Sequence, residues 1–90
     1  MDTDLLPGDD LVRQGLRDLS EGRRSVPALL VSIGSNRLRR AGLTVPAPLP
    51  DPDQGLYLAL RERYGDDAYS RYNSLVRRLV SFERALECAS

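Results

Sequence analysis

The clearest hydrophobic pattern in this chain lies toward its C-terminal end, where Ala68, Tyr72, Leu75, Leu79, Phe82 and Leu86 recur at alternating intervals of four and three residues. That spacing draws one apolar stripe along a helix, a seam suited to packing against other helices. Tyr69 and Val76 widen the stripe beyond a two-position seam, which favours a multi-helix bundle over a two-stranded coil.

Three further helices are expected upstream. The first starts at Asp9 or Asp10, where a carboxylate can cap free N–H groups and face the positive end of the helix dipole. Leu11, Val12, Leu16 and Leu19 form its stripe, and Gly22 supplies a left-handed stop. Gly15 should weaken this helix by about 1 kcal/mol relative to alanine, unless it permits a close helix contact. The second helix takes Ser25 as N-cap and Pro27 in its first turn, and extends to residue 41 with a break at Gly34, Ser35 and Asn36. Its run from Ala28 to Ile33 is apolar on nearly every side, as in a buried helix or a short buried strand. The overall length and the closing Arg37, Arg39 and Arg40 select helix.

From Leu43 to Asp53, prolines 46, 48, 50 and 52 alternate with other residues and impose an extended connector. A proline-recognition ligand would need the PxxP spacing, which this run lacks, so a stiff strap between two helical pairs is the better reading. Asp51 or Asp53 then caps a third helix carrying Leu56, Tyr57, Leu60 and Tyr64 on one face. Gly65 ends it and Asp66 or Asp67 caps the fourth, so that the last two helices form an antiparallel hairpin. The predicted fold is a single all-α domain over residues 1–90, a small four-helix bundle of two helical hairpins joined by the proline-rich connector 43–53. At 1.5 Å per residue the fourth helix outruns the third by about 15 Å. Leu79, Phe82 and Leu86 must therefore pack on the first helical pair or on another chain.

Composition removes most chemistry. Thirteen arginines balance thirteen acids, with no histidine and no lysine. The commonest general base, the Schiff-base amine and the histidine ligands of most zinc sites are thus missing. The adjacent acids Asp9 with Asp10, and Asp66 with Asp67, sit where helices should start, and capping explains them better than magnesium binding. Gly34, Ser35 and Asn36 have neither P-loop spacing nor a nucleophile-elbow pattern. The single cysteine, Cys88, offers neither disulfide nor metal cluster and reads as a free thiol. The acidic opening through Asp2 and Asp4 resembles no export leader, and no run approaches the roughly 18 apolar residues of a membrane span. A cytoplasmic protein without cofactor or metal is expected.

Charge is segregated even though it cancels in sum. The first ten residues carry Asp2, Asp4, Asp9 and Asp10, whereas Gly22 to Pro50 hold Arg23, Arg24, Arg37, Arg39 and Arg40 and no acid. Those five arginines are the material for nucleic-acid binding, with Tyr57, Tyr64, Tyr69 and Tyr72 gathered near Arg61, Arg63 and Arg71 as stacking candidates. The zero net charge argues against that use, because phosphate neutralisation supplies most non-specific affinity. A helix-turn-helix is excluded by the apolar start of the second helix. The expected function is therefore a non-catalytic protein–protein interaction module, a homodimer or a subunit of a small complex. Its surface is expected at Leu79, Phe82 and Leu86, with Arg78 and Glu83 at flanking positions. A small nucleic-acid-binding regulator using Arg23 to Arg40 is the alternative.

Overall fold

The computed structural model describes residues 8–89, the side chain of residue 89 excepted; Asp2 and Asp4 of the acidic opening lie outside the described residues. Helices α1 (Asp9–Ser20), α2 (Val26–Ile33), α3 (Ser35–Arg40), α4 (Pro52–Tyr64) and α5 (Ala68–Ala89) follow in order, with a 3-10 turn at Gly65–Asp67. No strand occurs among the described residues, so the protein is all-helical there. The run from Ala28 to Ile33 is helix. Residues α2 and α3 form one bent helix, since the Gly34 N–H still donates to the Leu30 carbonyl (3.4 Å) and the Leu38 N–H to the Gly34 carbonyl (2.9 Å).

Local signals account for most of these ends. Gly22 is left-handed (φ 77°), and the Arg23 N–H returns to the Asp18 carbonyl (2.8 Å) while Gly22 N–H bonds Leu19 (3.1 Å), closing α1 with a Schellman motif. Ser25 caps α2 by accepting from the Ala28 N–H at 3.1 Å, with Pro27 in the first turn. Three expected caps differ. Gly8 holds the N-cap of α1 in a left-handed conformation, so Asp9 and Asp10 lie in the first turn, where they still meet the dipole. Asp51 occupies the N-cap of α4, but with φ 44° and no side-chain bond; its carbonyl instead accepts from Gly55 N–H at 2.9 Å. Asp66 and Asp67 lie in the 3-10 turn that leads into α5.

Helix α2 is the hub. Ala28, Leu29, Leu30 and Val31 are fully buried, with α1 packed on one side and α4 on another. Where α1 crosses α2, a Cβ on Gly15 would overlap the Pro27 carbonyl oxygen and Val31 Cγ2, so the missing side chain lets the two backbones approach. The connector is fastened to this pair by polar bonds. Ser32 Oγ donates to the Ala28 carbonyl (2.8 Å) and accepts from Leu49 N–H (3.0 Å), and Arg39 grips the Val45 (2.9 Å) and Pro46 (3.0 Å) carbonyls.

Helix α5 runs unbroken for 22 residues, about 33 Å, against 13 residues and about 20 Å for α4. The overhang is covered by the chain itself. Leu79 and Phe82 are buried, and a Cβ at Gly34 would meet Leu79 at 3.1 Å, while one at Gly8 would meet Phe82 at 3.6 Å. Two glycines thus bring the bend of the second helix and the entry to α1 onto the far half of α5.

Candidate functional site

Surface features that the core does not use concentrate on the α4–α5 pair. Its inner stripe is conventional: Leu56, Leu60 and Ala68 are buried, and Tyr57 meets Tyr72 edge to face, ring centroids 6.4 Å apart. The outer positions are not. Leu58 is 53% exposed, Tyr69 67% and Tyr64 38%, and all three stand on this pair. Tyr69, Tyr57 and Tyr72 line a shallow apolar groove with Asp53 and Gln54 at its edge.

On another side of the pair lies a groove of about 270 Å³ with Val26, Leu60 and Leu75 as apolar lining and Arg63, Tyr64, Arg71, Ser74 and Arg78 around them. No carboxylate lines it. Arg71 is held with its guanidinium carbon 4.0 Å from the Tyr64 ring centroid, a cation–π contact that bridges the turn between the two helices. Arg78 reaches Asp10 at 3.5 Å, a long contact between two exposed side chains and therefore a weak one.

The residues expected to form the interaction surface divide. Leu79 and Phe82 belong to this chain's own core, Leu86 is half-buried against it, and Arg78 is exposed at the rim of the groove just described. Glu83 is turned inward and is 4% exposed. Its partner is Arg37, whose Nη1 donates to it at 3.3 Å while Nε (2.7 Å) and Nη2 (2.9 Å) clamp both oxygens of Glu87. Burial pushes the Glu83 carboxyl up, with Arg37 opposing; the Arg37 hydrogen bonds hold Glu87 below the usual carboxylate range.

The arginines of residues 23–40 are spread over separate contacts. Arg37 is bound to α5, Arg39 holds the connector, and Arg23 pairs with Glu21 at 3.2 Å. Arg24 and Arg40 remain, and Arg24 lines a shallow groove with Arg63, Val26 and Ala59 beside the one around Arg71.

Sequence reasoning missed one buried acid. Asp18 accepts from Ser25 Oγ (2.5 Å) and Gln14 Nε2 (2.9 Å), and the Ser25 hydroxyl above all holds its carboxyl below the ordinary range despite burial. The signal was present: Gln14 is four residues before it on α1, and Ser25 is the cap of the next helix. Its role is structural, tying the α1–α2 turn.

Among the described residues no three His, Cys, Asp or Glu side chains converge as metal ligands, and no helix is long and apolar enough to cross a membrane. Cys88 is exposed. Comparison with protein-family models, curated proteins and solved structures finds no match.

Proposed function

We propose that this chain is a non-catalytic, cytoplasmic interaction module: a bundle of two helical hairpins, joined by the proline-rich connector, that docks another polypeptide chain on its α4–α5 face. The observation that carries this reading is the placement of Leu58, Tyr64 and Tyr69, the large apolar side chains that stay exposed while the rest of the described ones are sheltered. Tyrosine and arginine are the residues that protein interfaces enrich, because each brings broad contact area and a polar handle. Tyrosines line the groove on one side of this helix pair, and Tyr64 with three arginines the groove on another.

The nucleic-acid reading is weaker in its original form. Arg37 and Arg39 are engaged inside the chain, Arg23 makes only an exposed pair with Glu21, and the net charge is zero.

The test is site-selective. A photo-crosslinking amino acid placed at Tyr69 or Leu58 should trap a defined protein in the native host, whereas one placed at Arg17, on the exposed side of α1, should not. Light scattering on the purified chain separates a homodimer from a subunit that needs a different partner. Equal trapping from both faces, or none from the α4–α5 face of a chain that also stays monomeric, removes the reading.

A further inference from the structure

We propose that the groove around Arg63, Arg71 and Arg78 receives an acidic amphipathic helix of a different protein. This rests on the interaction-module reading and names the partner's chemistry.

Charge complementarity is the first ground. Three guanidinium groups stand around an apolar lining with no carboxylate among them. Among the described residues Arg63 and Arg71 have no ion pair, and that of Arg78 with Asp10 is long and exposed enough to exchange. Holding Arg71 against the Tyr64 ring restricts its rotamers in advance, so less freedom is lost when it binds a carboxylate.

Size is the second ground. At about 270 Å³ the groove lies at the lower edge of the roughly 300–1,000 Å³ usual for small-molecule pockets, and its apolar lining suits one aliphatic side chain with flanking acids. Spacing is the third. Arg71 and Arg78 are two turns apart on α5, about 10.5 Å, with Leu75 between them. A helix laid alongside repeats that interval when its acids are seven residues apart and a leucine follows the first by four. An extended strand offers same-face positions at about 6.6 or 13 Å, neither of which matches.

No described helix offers this pattern to a second copy: on α1, α4 and α5 no two acids stand seven residues apart, and α2 and α3 carry none. The one match in the sequence, Asp2 and Asp9 with Leu6, spans the left-handed Gly8 and is therefore not one continuous helix. A nucleic-acid strand would satisfy the arginines but leave Leu60 and Leu75 without an aliphatic counterpart, and the chain has no positive excess to draw it.

The probe is a fluorescein-labelled, alanine-based helical peptide with two glutamates seven residues apart and a leucine four after the first. It is titrated against the full chain at low salt and followed by anisotropy. Saturable binding is expected, weakened about tenfold or more by Arg71→Gln with Arg78→Gln, and unchanged by Arg77→Gln with Arg84→Gln on the outer face of α5. Moving the second glutamate by two positions should weaken binding comparably. If the double variant fails to fold by circular dichroism, Arg63→Gln on the exposed side of α4 serves in its place. Absence of saturation, indifference to peptide register, equal binding by the groove variants, or preference for a labelled single-stranded oligonucleotide each overturns the proposal. Failure of the peptide with crosslinking from Tyr69 intact removes the groove assignment alone; failure of both removes the module reading too.

Discussion

Replacing Gly15 with alanine sets two sizeable effects against each other. By intrinsic propensity the change should stabilise α1 by about 1 kcal/mol, because glycine in a helix interior loses more backbone freedom than alanine. In the folded chain the added methyl would overlap the Pro27 carbonyl oxygen and Val31 Cγ2, and would lie 2.9 Å from the Pro27 carbonyl carbon. Pro27 cannot turn away, since it belongs to the first turn of α2, fixed by the Ser25 cap. Restoring ordinary contact requires α1 to withdraw by about 1 Å, which forfeits a quarter to a half of the dispersion well for each contact across the α1–α2 interface. Overpacking of this kind costs about 1–3 kcal/mol, and two obstructed neighbours place it toward the upper end. The net expectation for Gly15→Ala is a loss of about 1–2 kcal/mol, or roughly 5–15 °C in Tm for a domain of this size. Far-UV circular dichroism with thermal and urea denaturation reads it directly. Because Val31→Ala removes one of the two obstructions, the double variant should be less destabilised than the sum of the single changes. A Gly15→Ala protein as stable as the parent, or more so, refutes the close approach of α1 to α2.

Ser25→Ala removes both the α2 cap and the hydroxyl that donates to Asp18, so a loss of about 1–2 kcal/mol in urea denaturation is expected. Asp18 is held low, so its contribution is present above the ordinary carboxylate range and disappears as pH falls through its folded value; the Ser25→Ala deficit should shrink on acidification. Glu83 behaves in the opposite sense: raised by burial, it favours the fold while protonated and loses that contribution as pH rises. Glu83→Gln should therefore be at least as stable as the parent at neutral pH, with the difference vanishing in acid; a variant much less stable at neutral pH would mean that the Arg37 ion pair outweighs the desolvation of the carboxylate. Tyr69→Ala and Leu58→Ala should leave stability within about 0.5 kcal/mol of the parent, since neither side chain is buried, while reducing capture of the partner in a pull-down.

What the sequence made legible was whatever depends on neighbours along the chain. The Ser25 cap with Pro27, the left-handed Gly22 and the uninterrupted α5 all follow from local dihedral and hydrogen-bond requirements, and the structure contains each of them. Of the run expected as connector over 43–53, Pro52 and Asp53 instead open α4, since a proline is tolerated in a first helical turn. The capping acids misled because Gly8 and Asp51 adopt left-handed conformations that start their helices without a side-chain bond. The overhang of α5 was readable as a length mismatch, but its covering was not. That depends on Gly34 and Gly8 lying against Leu79 and Phe82, contacts that no periodicity encodes. The Arg37 clamp on Glu83 and Glu87 joins groups 46 and 50 residues apart and is equally invisible in the pattern. For the groove, Arg71, Ser74, Leu75 and Arg78 share one α5 stripe in the sequence, but only the packing of α4 shows that Arg63 and Leu60 complete it.

The all-arginine basicity acquires a different meaning once its members are placed. Arg37 and Arg39 use the planar, multi-donor guanidinium to hold tertiary structure, one by bridging two carboxylates and the other by gripping two successive connector carbonyls. A lysine ammonium could not reproduce either fork. Arg63 and Arg71 form no such bond within the described chain; Arg71 meets only the Tyr64 ring. The neutral total therefore covers at least two situations of arginine: fasteners such as Arg37 and Arg39, and the exposed Arg63 and Arg71, which under the docking proposal would meet a partner's carboxylates.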